Sequence, residues 1–355
     1  MKRLSLLVWI ALCAPAFASD PLADATAKFL AGLPVRGTAL ESQSNNDAWV
    51  THATDLDRAW ERLEKQQLSK IRPWAPQYLA PAYEENGPMF YMFSGPDFLY
   101  ANAFFPNAST YILCGIEPVG PLPDIDKMPR PILFSALANL RKSLDSVLSF
   151  SFFITKNMKI DLKQTQLSGT LPVLYVFLAR AGCTIDSVTP VALDRDGNFV
   201  SEGKGTPSGV KIVFFGPTGR EQTLYYFTTD LADWAVKVNP GFLKFCDQQG
   251  QGVTLLKAAS YLMHSNNFSQ VRDFLLTHSK IILQDDSGIP FRFFPADKWN
   301  RRHVGHYIGP IRRFLEHGQL DLNKENAASG PPPLEFSFGY QWQPSRSSLM
   351  IATPK

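Results

Sequence analysis

The sequence contains few cysteines, and none of them stands at the spacing of a metal site or a redox motif. The four are Cys13, Cys114, Cys183 and Cys246, spread over 355 residues. The sequence has no Cys-x-x-Cys motif and no histidine at ligand spacing, so it indicates neither a disulfide-dense scaffold nor a metal protein. At most one pair could form among the last three, and we expect three small buried residues instead.

Signatures of cofactors and nucleic acids are also missing. The chain has no Gly-rich phosphate loop and no dinucleotide fingerprint, so we expect no cofactor. Aromatic residues do not alternate with a basic stripe, and the formal net charge is only +3. Neither nucleic acid nor a membrane surface is therefore indicated as a partner. The oligomeric state is not fixed by the sequence.

The N-terminus has the pattern of an export signal. Lys2 and Arg3 precede an apolar run from Leu4 to Cys13, and Ala16-Phe17-Ala18 is the small-x-small motif that signal peptidase cleaves after. The run is too short for a permanent bilayer span, and no later segment is a transmembrane candidate. We predict a signal peptide over residues 1–18 and a soluble periplasmic or secreted protein. An uncleaved N-terminal anchor is the alternative.

Helical periodicity dominates the beginning of the mature chain. Apolar residues recur at helical spacing after Asp20-Pro21 and again from about Thr54 to Arg72. Pro73 is predicted to end the second helix, and residues 73–88 to be irregular because they contain four prolines. The predicted organisation is an N-terminal helical pair over 19–75 and a main α+β domain over 76–355.

The rest of the chain mixes patterns of period 3.6 and period 2. The predicted fold class is α+β, with antiparallel hairpins and a mixed sheet packed with amphipathic helices. A parallel α/β sheet is the alternative. The predicted helices lie near 133–148, 172–181, 255–264 and 268–278. The predicted strands lie within 90–115, 150–160, 184–229 and 280–283, and in a C-terminal hairpin of 334–342 and 347–353.

Two Ser-Gly turns are the main site candidates. The first follows a predicted strand in the densest aromatic and Gly/Pro stretch, residues 88–123, and the second is Asp285-Asp286-Ser287-Gly288. Each precedes a Phe-Phe-Pro run and would emerge at an edge of the sheet, so we predict one shared pocket. Its polar groups would be Tyr91, Ser94, Asp97, Asp285, Asp286, Ser287 and Arg292. In the alternative, Asp97 only begins a helix and the second turn is stabilised by its own side chains.

A basic segment supplies a third candidate. Arg301-Arg302-His303-Val304-Gly305-His306 would place both histidines on one face if it were helical. Arg301, Arg302 and His306 are predicted to bind an anionic group, such as a phosphate or a carboxylate. A solvated basic face is the alternative.

Two function classes remain open. The favoured one is an exported ligand-binding or assembly protein with an unknown small or anionic ligand. The alternative is a periplasmic hydrolase in which Asp97, Asp286 and His303 converge as catalytic acid and base. A catalytic acid or base must lie within about 2.6–3.2 Å of its partner, or reach it through a water, so convergence decides between the two.

Overall fold

The structure, a computed structural model, describes residues 21–150, 167–201 and 207–355. The predicted signal peptide and most of the strand predicted at 150–160 lie outside the described residues. Within the described ranges, helices surround one ten-stranded sheet that contains both parallel and antiparallel pairs. The predicted α+β class is therefore confirmed. In the same ranges, no helix has both the length and the apolar character needed to cross a bilayer.

The elements are numbered in chain order. The helices are α1 Pro21–Leu30, α2 Glu41–Ser44, α3 Asp47–Leu63, α4 Ser69–Leu79, α5 Phe98–Phe104, α6 Arg130–Phe150, α7 Leu171–Arg180, α8 Asp233–Val238, α9 Gly241–Gln248, α10 Ser269–His278 and α11 Leu320–Ser329. The strands are β1 Pro88–Tyr91, β2 Thr110–Gly115, β3 Thr184–Leu193, β4 Phe199–Val200, β5 Ser208–Phe215, β6 Glu221–Thr228, β7 Gly252–Leu256, β8 Ser279–Gln284, β9 Trp299–Val304 and β10 Leu349–Pro354.

The sheet has a parallel centre and antiparallel flanks. Its strand order is β4-β3-β5-β6-β2-β1-β7-β8-β10-β9. The five neighbours β6, β2, β1, β7 and β8 run parallel, so their carboxyl ends share one edge. The predicted hairpins of β3 with β4 and β5 with β6 form one flank, and β10 pairs antiparallel with both β8 and β9 on the other.

Alternate residues of the central strands enter two cores on opposite faces of the sheet. In β2, Tyr111 and Leu113 belong to one core, and Ile112 and Cys114 belong to the other. Helices α1 and α3–α7 contribute to the first core, and α9–α11 to the second. Each large apolar side chain buried in this way contributes about 1.5–3 kcal/mol. The N-terminal helices share this first core with the sheet. The domain boundary predicted near residue 75 stays a prediction.

The prediction that Pro73 ends the second helix is wrong. Helix α3 passes through one π-helical turn, Glu64–Leu68, directly into α4, which contains both Pro73 and Pro76. The apolar face of α4 continues through Ile71, Ala75 and Leu79, all fully buried. This burial offsets part of the cost of the two interior prolines, about 3 kcal/mol each.

Two further predictions are wrong, and both concern buried extended chain. Residues 255–264 do not form the predicted α-helix, because β7 continues to Leu256 and a loop follows that ends in a single 3-10 turn, Leu262–His264. The C-terminal hairpin does not form either, because β10 pairs with β8 and β9. Residues 331–347, here called the C-terminal strap, pack apolar side chains into the first core instead. Two of its backbone N–H groups donate to side chains and not to a neighbouring strand. Ser337 N donates to Gln67 Oε1 at 2.9 Å, and Phe338 N donates to Ser347 Oγ at 3.0 Å.

Candidate ligand-binding site

Strands β1 and β7 lie side by side, and the helices that follow them lie on opposite faces of the sheet. Helix α5, which follows β1, contributes to the first core, whereas α10, which follows β7, contributes to the second. Where chain connections diverge in this way, a crevice opens at the carboxyl ends of parallel strands. The topology therefore places a candidate site between the ends of β1 and β7.

A cavity of about 430 Å³ occupies this position. A volume of that size lies within the usual range for a small-molecule site, about 300–1,000 Å³. Its walls come from the last residues of β1 and β2 and from the segments that follow β1, β2, β6 and β7, together with one residue before α10 and one from the C-terminal strap. The lining residues are Tyr91, Phe93, Ser94, Gly95, Asp97, Cys114, Gly115, Ile116, Glu117, Thr229, Asp230, Leu231, Lys257, Ala258, Ser260, Leu262, Phe268 and Tyr340.

A buried ion pair forms the floor of the cavity. Lys257 Nζ lies 3.0 Å from Asp97 Oδ2, and the two side chains are 1% and 3% exposed. Tyr91 Oη donates to the same Asp97 oxygen at 2.8 Å, and Asp97 Oδ1 accepts from Tyr100 N at 3.2 Å as the N-cap of α5. The Lys257 ammonium also lies 4.0 Å from the centre of the Tyr100 ring, a cation–π distance.

Burial and mutual attraction act in opposite directions on this pair. Burial raises the pKa of Asp97 and lowers that of Lys257, while each charge favours the ionised form of the other. Burial also raises the pKa of Tyr91 well above its ordinary value, so its hydroxyl remains a donor to Asp97. A buried ion pair is weak evidence for stability, but perturbed ionisable groups beside a cleft identify a candidate functional site.

The loop after β7 is held in an unfavourable backbone conformation. Ala258, Ser260 and Tyr261 have φ angles of 53°, 57° and 56°, in the left-handed region that non-glycine residues avoid at a cost of about 1–2 kcal/mol each. Phe93, after β1, has a φ of 61°. Strained residues of this kind cluster at ligand sites when the surrounding structure enforces them.

Side chains of the second Ser-Gly turn hold the loop after β7 in this conformation. Asp285 Oδ2 accepts from Ala258 N at 3.1 Å, and Ser287 Oγ accepts from Ala259 N at 2.7 Å. Ser287 Oγ in turn donates to Asp285 Oδ1 at 2.5 Å. Both side chains are buried and fully engaged, so they position the loop, and neither lines the 430 Å³ cavity.

The C-terminal strap completes the wall next to this loop. Gly339 has a φ of +70°, and a Cβ there would lie 1.8 Å from Asp285 Oδ2. Only glycine therefore permits the strap to approach the buried carboxylate. The next residue, Tyr340, donates its hydroxyl to Ala258 O at 2.9 Å and reaches the cavity.

A second carboxylate reaches the cavity from the end of β2. Glu117 is 4% exposed, and its main-chain oxygen accepts from Tyr226 Oη at 2.9 Å and Thr228 Oγ1 at 2.8 Å. Its side chain bends back against Gly115, where a Cβ would lie 2.5 Å from Glu117 Oε2. Burial raises the pKa of the neighbouring Cys114 thiol to about 12, and the charge of Glu117 adds to this shift.

The structure separates the residues predicted for one pocket. Tyr91, Ser94 and Asp97 line the large cavity, whereas Asp286 and His303 line a hollow of about 10 Å³ on the far side of β7. The two Ser-Gly turns are thus near neighbours in the sheet, but they do not form the shared pocket, because the second one turns its polar groups inward. Asp97 does not converge with Asp286 and His303. The functional roles given to these residues stay predictions.

The basic segment is an edge strand, so the helical arrangement of its histidines is wrong. In β9, His303 is buried and contacts Glu325 Oε1 through Nε2 at 3.2 Å, while His306 lies beyond the strand and is exposed. Arg301 pairs with Glu325 Oε2 at 2.7 Å, and Arg302 lies over the Tyr78 ring at 4.1 Å. None of these four lines the large cavity. Charged side chains on an edge strand also protect it from pairing with other chains.

Arg292 does not pair with Asp97. It is exposed, its guanidinium lies 5.0 Å from the Phe293 ring centre, and it reaches His264 O at 3.5 Å. Its predicted role in binding a ligand is untested.

The most informative site residue escaped the sequence reasoning. Lys257 is the only charged residue between Gly252 and Met263, an otherwise apolar run with one threonine and one serine. A lone lysine in such a run is a usable signal, because lysine is almost never fully buried unless it is paired. Glu117 and Asp230 carried no comparable signal.

The chain matches no model of a known protein family, and no curated protein matches it closely enough to be a relative. In the described ranges, no group of three His, Cys, Asp or Glu residues could hold a metal ion. The three described cysteines are buried, and none is in a disulfide with another described residue.

Proposed function

We propose that this is an exported, soluble protein that binds a small ligand in the 430 Å³ cavity. The observation that carries the proposal is the Lys257–Asp97 ion pair at the floor of a cavity formed by four parallel strand ends. Ligand sites combine apolar walls with a few fixed polar groups, and this cavity has that composition. Phe93, Leu231 and Leu262 supply apolar wall, and the ion pair and Glu117 supply polar groups.

The conformation of the loops also supports binding. Holding Ala258, Ser260 and Phe93 at positive φ costs free energy that the core offsets. All three line the cavity. A loop that served only to connect two strands would have no need of this conformation.

The hydrolase alternative has less support. It requires Asp286 and His303 to reach a substrate, and these two line a hollow of about 10 Å³, no larger than a water molecule needs. Asp97 is committed to Lys257, Tyr91 and the N-terminus of α5. Ligand binding without catalysis therefore needs fewer rearrangements.

A thermal-shift screen on matched variants tests the proposal. A panel of small cationic, neutral and anionic compounds would be applied to the wild type, to Ile116→Trp and to Leu122→Trp. Ile116 lies in the cavity wall and is 54% exposed, so the indole should obstruct the cavity without disturbing the core. Leu122 is 51% exposed and does not line this cavity, which makes it the control.

A ligand present at about 100 times its Kd adds about 2.7 kcal/mol and raises Tm by several degrees. We expect at least one compound to do this in the wild type and in Leu122→Trp but not in Ile116→Trp. The proposal fails if no compound raises Tm, or if Ile116→Trp responds like the wild type.

Export is proposed separately, on the pattern of residues 1–18. Mass spectrometry of the protein from the exported fraction should show a mature chain that begins at Ser19. An intact Met1 in soluble cytosolic protein would contradict export and leave the binding site untouched.

A further inference from the structure

Two phenylalanines in the cavity wall belong only partly to the core. Phe93 and Phe268 are half-buried, and both pack against the second core while they also line the cavity. Their rings meet edge to face, with their centres 5.8 Å apart. This pair, here called the aromatic wall, therefore has protein packed behind it and contributes apolar surface to the cavity.

The backbone holds the first of these rings in place under strain. Phe93 has a φ of 61°, a value that bulky residues rarely adopt. The turn that contains it is tied to the end of β2, because Gly95 N donates to Cys114 O at 3.1 Å. Strained residues persist only where the surrounding structure enforces them, and they cluster at ligand sites. The fold thus maintains an unfavourable conformation at a residue whose ring lines the cavity.

The second ring is fixed by a helix cap. Phe268 directly precedes α10, and the carboxylate of Asp233 at the start of α8 accepts from Ser269 N at 3.1 Å and from Gln270 N at 2.9 Å. These bonds join α8 to the N-terminus of α10 beside the ring. The two rings thus come from distant parts of the sequence, and each is held by contacts of its own. Preformed apolar surface of this kind is typical of small-molecule sites.

Aliphatic side chains extend the apolar surface around the aromatic wall. Leu262 is half-buried and Ile116 is 54% exposed, and both line the cavity. Covering such surface with an apolar group removes it from water, which favours binding. The lining therefore favours a ligand with a substantial apolar part, whatever the charge of its polar end.

We propose that the ligand carries an aromatic ring, which packs against Phe93 and Phe268 and extends their edge-to-face pair to a cluster of three rings. This inference rests on the proposed function of the cavity and names its ligand class. Aromatic rings in edge-to-face or offset arrangements attract each other by more than their buried area provides. Phe93 and Phe268 are thus the residues that select an aromatic ring over a saturated one.

Three uncharged probes test the inference: 2-phenylethanol, 2-cyclohexylethanol and ribitol. Because none of them is ionised, the ionisable groups of the cavity do not distinguish them by charge. If only apolar area mattered, the saturated ring would bind at least as tightly as the aromatic one, since its apolar surface is no smaller. In isothermal titration calorimetry we expect 2-phenylethanol to bind about two- to tenfold more tightly than 2-cyclohexylethanol, and ribitol to bind most weakly.

Variants locate the effect at the aromatic wall. Phe93→Leu and Phe268→Leu keep an apolar side chain but remove a ring. Each should weaken the binding of 2-phenylethanol about two- to tenfold and change that of 2-cyclohexylethanol by less than about twofold. Phe293→Leu is the matched control, because Phe293 is also half-buried against the second core but does not line the cavity. It should bind both probes like the wild type.

The outcomes separate the two proposals. If 2-cyclohexylethanol or ribitol binds as tightly as 2-phenylethanol, or if the Phe93 and Phe268 variants keep the wild-type preference, the inference is overturned while the binding function stands. The same holds if only a compound of the thermal-shift panel other than these probes binds. If one leucine variant does not fold, the other variant and the probe comparison in the wild type still decide. If no probe and no compound of the panel binds, both proposals fail.

Discussion

Lys257 Nζ and Asp97 Oδ2 lie 3.0 Å apart at the ends of two adjacent parallel strands, with both side chains almost completely buried. The carboxylate belongs to the N-cap of α5 and the ammonium to the first residue after β7. Their contact thus joins the two segments that diverge to opposite faces of the sheet. The geometry of the cavity floor depends on this pair.

Breaking the pair should destabilise the fold strongly. Lys257→Met leaves a buried carboxylate without its cation, and we expect a loss of about 3–5 kcal/mol in the free energy of unfolding. Asp97→Asn should cost a comparable amount. The double variant should cost less than the sum of the two, since neither charge is then left uncompensated. Urea denaturation of all four proteins measures this, and additivity within about 0.5 kcal/mol would show that the pair is not coupled.

The stability should respond to pH through Asp286. Burial and the neighbouring charge of Asp285 raise the pKa of Asp286 to about 7, while the unfolded chain has a value of about 3.9. Between these values the folded state binds more protons. The resulting stabilisation is complete below about pH 4 and is lost as the pH rises through about 7.

Asp286→Asn removes this dependence. Relative to the variant, the wild type should lose about 1 kcal/mol or more of unfolding free energy between pH 4 and pH 7, as measured by urea denaturation at several pH values. A difference between the two proteins that does not change with pH would show that folding leaves the pKa of Asp286 unchanged.

Two glycines with left-handed φ give a matched test of the C-terminal strap. Gly330 has a φ of +56°, and a Cβ there would meet nothing within 4 Å, whereas a Cβ at Gly339 would overlap the Asp285 carboxylate at 1.8 Å. Gly330→Ala should cost about 1–2 kcal/mol from backbone strain alone. Gly339→Ala should cost clearly more, because a buried carboxylate must also move. Equal losses of stability in thermal denaturation would mean that the strap does not press against Asp285.

The three cysteines that the structure describes should be inert in the folded protein. Burial raises the pKa of both Cys114 and Cys183 to about 12 and that of Cys246 well above its ordinary value. Since the thiolate is the reactive form, we expect no modification by iodoacetamide at pH 8 within an hour. All three should react in denaturant, as counted by mass spectrometry. Rapid labelling of native Cys114 would indicate that the cavity wall opens.

The sequence predicts best the elements whose pattern has only one interpretation. The hairpin of β5 and β6 is bounded by a clear turn at Pro217–Arg220, and the leucines of α6 recur on one helical face. Strand β7 has all five residues buried, so neither period 2 nor period 3.6 stands out. The apolar run over residues 255–264 therefore favours a helix on sequence alone. In a helix Lys257 would be an ordinary residue, so that interpretation does not identify it as a site residue.

The site can be predicted only in part, for a topological reason. The turn after β1, with Ser94 and Asp97, does line the cavity, and its turn and aromatic residues are local features that the sequence displays. Its partners come from the ends of β2, β6 and β7, and only the strand order brings these together. The likeness of the two Ser-Gly turns reflects turn chemistry, since Asp285 and Ser287 bond to backbone.

The location of the bound ligand tests the account most directly. Hydrogen–deuterium exchange would be measured with and without a saturating concentration of a compound that raises Tm in the thermal-shift screen. We predict slower amide exchange in residues 93–97, 115–117, 229–231 and 257–262, with no change in β9 and α11. Protection confined to β9, α11 or the hollow beside Asp286, with the four strand-end segments unchanged, would contradict it.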